Sequence, residues 1–277
     1  MGERNGFGFF STCKLFAVDA DWYNFVMPTP FYHLSVANTL INQSSYRPGI
    51  KDVIKTYQST FLLGHVAPDI RVISGQAREI THFYKFPESD NDLLPWERMQ
   101  KMYPAPNSIT HSSVEYAVFL AGYLCHLQAD WLWIKTIYEP YFISNAHWGT
   151  FSKREYMHNV LRSYLDLQVM ESIRRDSFII LAQANPKPWL PFLDNSDFFT
   201  WRDFLVNQLK PGAPIKTIEI FASRQGISVE NYYRLLNQED EIQDQIFSIM
   251  PKNLTDEYWQ ELLAKNIDLL NDFLGKV

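Results

Sequence analysis

The stretch from Ser113 to Glu139 reads SVEYAVFLAGYLCHLQADWLWIKTIYE. It is apolar on nearly every face of a helix, so it belongs at the centre of a protein and not on its surface. As one helix it is 27 residues long, roughly 40 Å if straight. Pro140 is expected to end it. Ala121 and Gly122 form a small patch where a neighbouring helix can come close. Two residues do not suit such a core. His126 and Asp130 are four apart and share one face. Burying an unpaired carboxylate is expensive. Two explanations satisfy both groups: a His–Asp hydrogen bond within the helix, or a metal ion that pairs with the carboxylate and uses a neutral imidazole.

On either side of this stretch the chain continues to read as helix. Thr29-Pro30 is a helix start, with Thr as cap and Pro at the first helical position. That helix runs to about Gln43 and places Leu34, Ala37 and Ile41 on one face, with His33 in its first turns. A second helix is expected from Ile50 to Leu63, ended by Gly64. Pro68 breaks the pattern after it, so Asp69 falls on a turn just past a helix. Thr81-His82-Phe83-Tyr84 is a short aromatic stretch. Residues 87–112 hold four prolines and read as an irregular excursion. Further helices are expected over about 153–175, 199–209, 214–224, 228–248 and 254–275. The fold class is therefore all-α. Residues 1–26 read as a mobile extension or an overextended start, residues 27–180 as a helical core, and residues 181–277 as a C-terminal helical region packed on that core.

Composition narrows the function. The net charge is −6, with no basic stripe, which argues against a stable nucleic-acid complex. Aromatics make up 16% of the chain, enough to build a core or a cleft from large side chains. The two cysteines, Cys13 and Cys125, form no disulfide framework and no metal pair. The longest apolar stretch, Tyr116 to Leu127, falls short of the roughly 20 residues that cross a bilayer, so no transmembrane segment is expected. There is no clear signal peptide, which suggests a cytoplasmic protein. Oligomeric state is not legible.

Several other residues could carry chemistry. His33 and His82 each read alone as packed core histidines or as ligands. Asp69 reads as a turn residue or as a functional side chain on a rigid loop. His65 reads as structural, because Pro68 separates its face from that of Asp69. His111 reads as a solvated or capping residue. His158 reads as a further ligand or a surface residue. Trp131, Trp133, Tyr138, Tyr141 and Phe142 read as core or as the lining of a substrate cleft. Tyr32 and Tyr84 lie beside candidate ligands and could donate a hydrogen bond to a phosphate.

Four segments occur in order: Met27-Pro-Thr-Pro-Phe-Tyr-His33, Gly64-His-Val-Ala-Pro-Asp69, Thr81-His82-Phe83, and Gly122-Tyr-Leu-Cys-His126-Leu-Gln-Ala-Asp130. Together they resemble the zinc-dependent phospholipase C family, which is related in fold to the P1-type nucleases. The resemblance covers about residues 27–170. It implies an all-α fold around a cleft that holds zinc. It implies His33 as a ligand from the first helix, and Asp69 as a ligand or as the base that takes a proton from the attacking water. It implies His82 and His126 as ligands of one zinc, with Asp130 on that zinc and able to bridge to a second. The family also uses a further site containing a His-x-x-x-Glu pattern. No such pattern follows Asp130 here, where His147 and His158 are the only histidines, and the chain extends well ahead of His33, where secreted members place a processed amino terminus. One or two zinc ions are therefore expected. The implied activity is hydrolysis of a phosphodiester, either a small phosphoester molecule or a lipid head group. The alternative is a helical binding or structural module that keeps the fold, and a metal, without turnover.

Overall fold

The computed structural model describes residues 28–84, 93–104, 111–145 and 147–276. The reading of residues 1–26 lies outside them, as does the side chain of His111. No strand occurs among the described residues, and the fold is all-α. Its axis is the central helix, His111–Trp133, whose residues from Ala117 to Asp130 are all buried. Pro140 does not end this segment. A π-helical stretch, Ile134–Ile143, continues it with Pro140 inside. The Ser144 N–H bonds the Glu139 carbonyl five residues back at 2.8 Å. The wider π turn accommodates a residue that has no N–H to give.

The central helix packs most extensively against the helix Gln58–Val66. Two glycines meet at their crossing. A Cβ on Gly122 would lie 2.4 Å from the Phe61 carbonyl oxygen, and one on Gly64 would lie 2.2 Å from that of Phe119. Only hydrogen fits at either position, so this contact is backbone against backbone. Gly64 therefore does not end its helix as its type suggests; it sits inside, where the close approach needs it. The expected single helix from Ile50 is also divided. Ile50–Thr56 and Gln58–Val66 are separated at Tyr57, which has φ −113° and ψ 34°.

The first helix, Pro30–Asn42, starts as the sequence suggests. Thr29 caps it, accepting the Tyr32 N–H at 3.4 Å. The same hydroxyl donates to the carboxylate of Asp166, which is buried on the long helix Phe151–Asp176. The excursion 87–112 contains more order than expected: Pro95–Met102 is helical, and the Glu97 carboxylate accepts the Leu94 N–H at 3.1 Å. The expected helix over 228–248 is three pieces, Val229–Leu236, Glu239–Ile242 and the π turn Gln243–Phe247.

C-terminal helices brace both walls of the central pair. Trp201, on Asn195–Leu209, donates its indole N–H to the Val66 carbonyl at 2.8 Å. Tyr258, on Asn253–Leu274, donates its hydroxyl to the Ala129 carbonyl at 3.1 Å. The first bond fixes the end of the helix that leads to Asp69. The second fixes the turn that carries Asp130. No helix among the described residues is long and apolar enough to cross a membrane.

Candidate metal centre

Four elements converge on one point. His33 comes from the first turn of Pro30–Asn42 and Asp69 from the 3-10 turn Ala67–Ile70. His82 ends the short helix Arg78–His82, and His126 and Asp130 lie on the central helix. His33, His82, His126 and Asp130 are fully buried. The side chain of Asp69 is 13% exposed.

Pro68 explains the placement of Asp69. The α-helix stops at Val66 and a tighter 3-10 turn follows with Pro68 in its first residues, which turns Asp69 back toward the central helix. His82 is placed by the residue after it. Phe83 has φ +60°, a left-handed conformation that a large side chain rarely adopts. It closes the helix at His82 in the way a glycine normally would. Its carbonyl is held by Arg98 Nη1 at 2.7 Å, and its ring packs on Tyr103, Tyr123 and Phe192. Those contacts support the strain.

The polar atoms lie at a telling separation. His33 Nε2 is 3.2 Å from Asp130 Oδ1. His82 Nε2 and His126 Nε2 are each 3.4 Å from Asp130 Oδ2, and His82 Nε2 is 3.6 Å from an Asp69 oxygen. Charge-assisted hydrogen bonds run roughly 2.7–2.9 Å. A tetrahedral ion with nitrogen and oxygen ligands about 2.0–2.1 Å away holds those ligands about 3.3–3.4 Å apart. The observed spacing is that of tetrahedron edges. Two overlapping sets gather closely enough to share an ion, His33/His126/Asp130 and Asp69/His82/His126, each with ligand atoms within 4.8 Å of one another. The Nε2 atoms of all three histidines are buried without a hydrogen bond, as are Asp130 Oδ1 and Asp69 Oδ2. Orphaned buried atoms from three imidazoles and two carboxylates gathered in one cluster are a substantial cost unless something else binds them. These residues fit a metal ion.

Hydrogen bonds on the far ring atoms orient the imidazoles. His126 Nδ1 lies 2.8 Å from the His65 carbonyl, so that nitrogen carries the proton and Nε2 is left as a lone pair. His82 Nδ1 lies 2.8 Å from the Thr81 hydroxyl. His33 stacks on His126 with ring centroids 3.7 Å apart. Electrostatics separate the groups. Burial, then the Arg78 charge, pushes His82 down to about 3. Burial, then His126, lowers His33. Burial also pulls on His126, but Asp130 outweighs it and the ring ends above its ordinary value. Burial pushes Asp130 up, and His126 and His33 overcome it to hold the carboxyl well below its usual range. Asp69 is likewise lowered, burial being overcome by neighbouring His82, His126 and His33 acting together. Both carboxylates are therefore ionised at neutral pH.

A family model described as zinc dependent phospholipase C matches residues 32–190. The chain belongs to the zinc-dependent phospholipase C family. All five converging residues fall within the matched segment. Comparison with curated proteins and with solved structures gave no match. Family membership and the His33/His126/Asp130 cluster together make zinc the cofactor of this fold.

Not every candidate joins the site. His158 is neither a ligand of the cluster nor a surface residue. It is fully buried, and its Nε2 accepts the Trp133 indole N–H at 3.0 Å. Its helix packs it among Trp133, Tyr138 and Phe142, away from Asp130. That aromatic set is core at Trp133, Tyr138 and Phe142, and half-buried at Trp131 and Tyr141. Tyr32 packs against Trp133, Tyr258 and Trp259. His65 is buried beside the cluster and serves it through its backbone carbonyl. One participant was not foreseen. Arg78 Nη2 donates to Asp130 Oδ2 at 3.0 Å, and its Nε donates to the Tyr84 hydroxyl at 3.1 Å. It lies four residues before His82, one helical turn away, but nothing in the sequence around it marks it as part of the site.

Proposed function

We propose that the chain is a zinc-dependent phosphodiester hydrolase acting on a phospholipid-like or nucleotide-like substrate. The observation that carries this reading is the convergence of three imidazoles whose Nε2 atoms are buried without a hydrogen bond on two carboxylates 3.2–3.6 Å away. His82, His126 and Asp130 would hold an ion and leave a position for water, with His33 and Asp69 as the further ligands within reach. Zinc in such a site supplies Lewis acidity and makes water a competent nucleophile near neutral pH.

The chain's own residues do the rest. The His65 carbonyl holds His126 in the tautomer that presents Nε2. Asp130 uses both oxygens, one toward His33 and the other toward His82 and His126, which suits a bridging carboxylate. Asp69 is the partly exposed carboxylate, which places it where an attacking water would give up its proton. The buried ring of histidines keeps bulk water from the rear of the site. In this reading residues 27–180 form the metal-binding core, and residues 181–277 buttress it through Trp201 and Tyr258.

The competing reading is a metal-holding module without turnover. A structural zinc is closed by four protein ligands, whereas a catalytic one keeps a position open to solvent. Here Asp69 and Arg78 reach solvent, at 13% and 12% of their side chains. The deciding experiment is hydrolysis of a panel of phosphodiesters, including bis(p-nitrophenyl) phosphate and phosphatidylcholine, by zinc-loaded protein. Turnover that a chelator abolishes and added zinc restores is expected. Full zinc occupancy without turnover on any member of the panel would leave the structural module as the better account.

A further inference from the structure

An arginine is an unexpected neighbour for a cluster of metal-ligand type. A guanidinium taken out of water is costly unless it is paired and hydrogen-bonded. Arg78 is only partly compensated. Nε is bonded to Tyr84 and one Nη2 hydrogen to Asp130. The guanidinium has five N–H donors in a rigid fork. The remaining three, two of them on Nη1, make no hydrogen bond to any of the described residues. The side chain is 12% exposed, so this free edge belongs to the wet side of the cluster. Tyr84 is buried and lies edge-on to Trp131, which fixes the oxygen that holds Nε. The arginine is therefore clamped on one edge and open on the other.

Position and charge say what the open edge can take. Arg78 Nη2, His82 Nε2 and His126 Nε2 all approach the same atom, Asp130 Oδ2. A group bound between the imidazoles thus has the guanidinium one carboxylate away. Asp69 and Asp130 contribute two negative charges and Arg78 one positive charge. With neutral histidines the cluster carries one net negative charge. A single divalent ion reverses it to one net positive charge, which a monoanionic phosphodiester neutralises. Without Arg78 a single ion would only balance the two carboxylates.

We propose that Arg78 is a phosphate-binding residue, presenting the free edge of its guanidinium to a non-bridging oxygen of the substrate phosphate while Asp130 and Tyr84 hold it in place. This rests on the hydrolase reading above and adds to it the residue that receives the phosphate. It also gives Tyr84 an assigned part, as the support for that arginine and not as a direct donor to phosphate.

The test uses inorganic phosphate as probe on the full chain loaded with zinc. Phosphate affinity is read by titration calorimetry and zinc content by mass spectrometry, for the native protein, Arg78→Met and Arg78→Lys. Loss of a charge-assisted pair is expected to weaken phosphate about ten- to hundredfold in Arg78→Met. Zinc content should stay at the native level. Arg78→Lys should fall between, because it keeps the charge and loses the fork. If phosphate affinity is unchanged while zinc is retained, the proposal is overturned. If zinc and phosphate are lost together, Arg78 acts by holding Asp130, and the proposal is again overturned. Should Arg78→Met fail to fold, Arg78→Lys decides by the same two readouts. Failure of the hydrolase reading looks different: the native protein itself would take up no zinc.

Discussion

Replacing Gly122 with alanine tests whether the site depends on two backbones in contact. The new Cβ would meet the Phe61 carbonyl oxygen at 2.4 Å and the His65 nitrogen at 2.9 Å. Both obstacles are backbone, and neither can rotate away. Restoring an ordinary contact requires the two helices to part by about 1 Å at this point. The intrinsic helix preference for alanine favours the variant by about 0.8–1 kcal/mol. Overpacking against it costs about 1–3 kcal/mol, so the expected net loss is at most about 2 kcal/mol. The effect on the site should be larger than that on the fold. Metal–ligand distances tolerate only about 0.2 Å, and the central helix carries His126 and Asp130 while the other leads to Asp69. Denaturant unfolding should show a modest drop in stability, and zinc titration a drop in affinity of tenfold or more. A variant as stable as the native chain with unchanged zinc affinity would refute the close-packing argument.

Three further outcomes follow from the buried charges and the metal site. Burial pushes Asp166 from 3.8 up to about 7, against the pull of the Thr29 hydroxyl and Arg162. A carboxyl raised in the folded state is protonated there while the unfolded chain is ionised, so stability falls as pH rises from about 4 to about 7. Asp166→Asn lacks that titration. Its stability relative to the native chain should increase over this window and level off above it, by up to about 4 kcal/mol; a flat difference across pH would contradict the assignment. Zinc removal should lower the melting temperature by roughly 10 °C, because an ion at about a thousand times its dissociation constant adds about 4 kcal/mol. Protons compete with zinc for His126, whose basicity Asp130 raises over the opposing effect of burial. The zinc-induced shift should therefore shrink as pH falls below neutral, and a pH-independent shift measured by calorimetry would count against His126 as a ligand.

Much of this arrangement was legible in the chain. The central helix announced itself because an uninterrupted apolar run fits no surface position. The His126–Asp130 spacing set both on one face before any tertiary information entered. Gly122 was readable as a close-approach residue because nothing smaller exists. Other features depend on contacts between distant segments. Arg78 sits in Gly75-Gln-Ala-Arg-Glu-Ile80, a polar run that looks like any solvated turn. Only the fold brings it to Asp130, fifty-two positions on. His158 resembled a ligand because its type was right, but a helix of mixed character does not reveal which face meets Trp133. Pro140 misled for a local reason. Its missing N–H forbids a regular α turn, yet a π turn skips that bond and the helix continues.

The central claim is that Asp130 and its three histidines form a zinc site. It is tested most directly by the metal content of the purified chain, measured by mass spectrometry beside Asp130→Ala prepared identically. The account predicts near-stoichiometric zinc in the native protein and a large loss in the variant, with the helical fold retained by circular dichroism. Equal zinc in both, or none in the native protein after zinc is supplied, would contradict it.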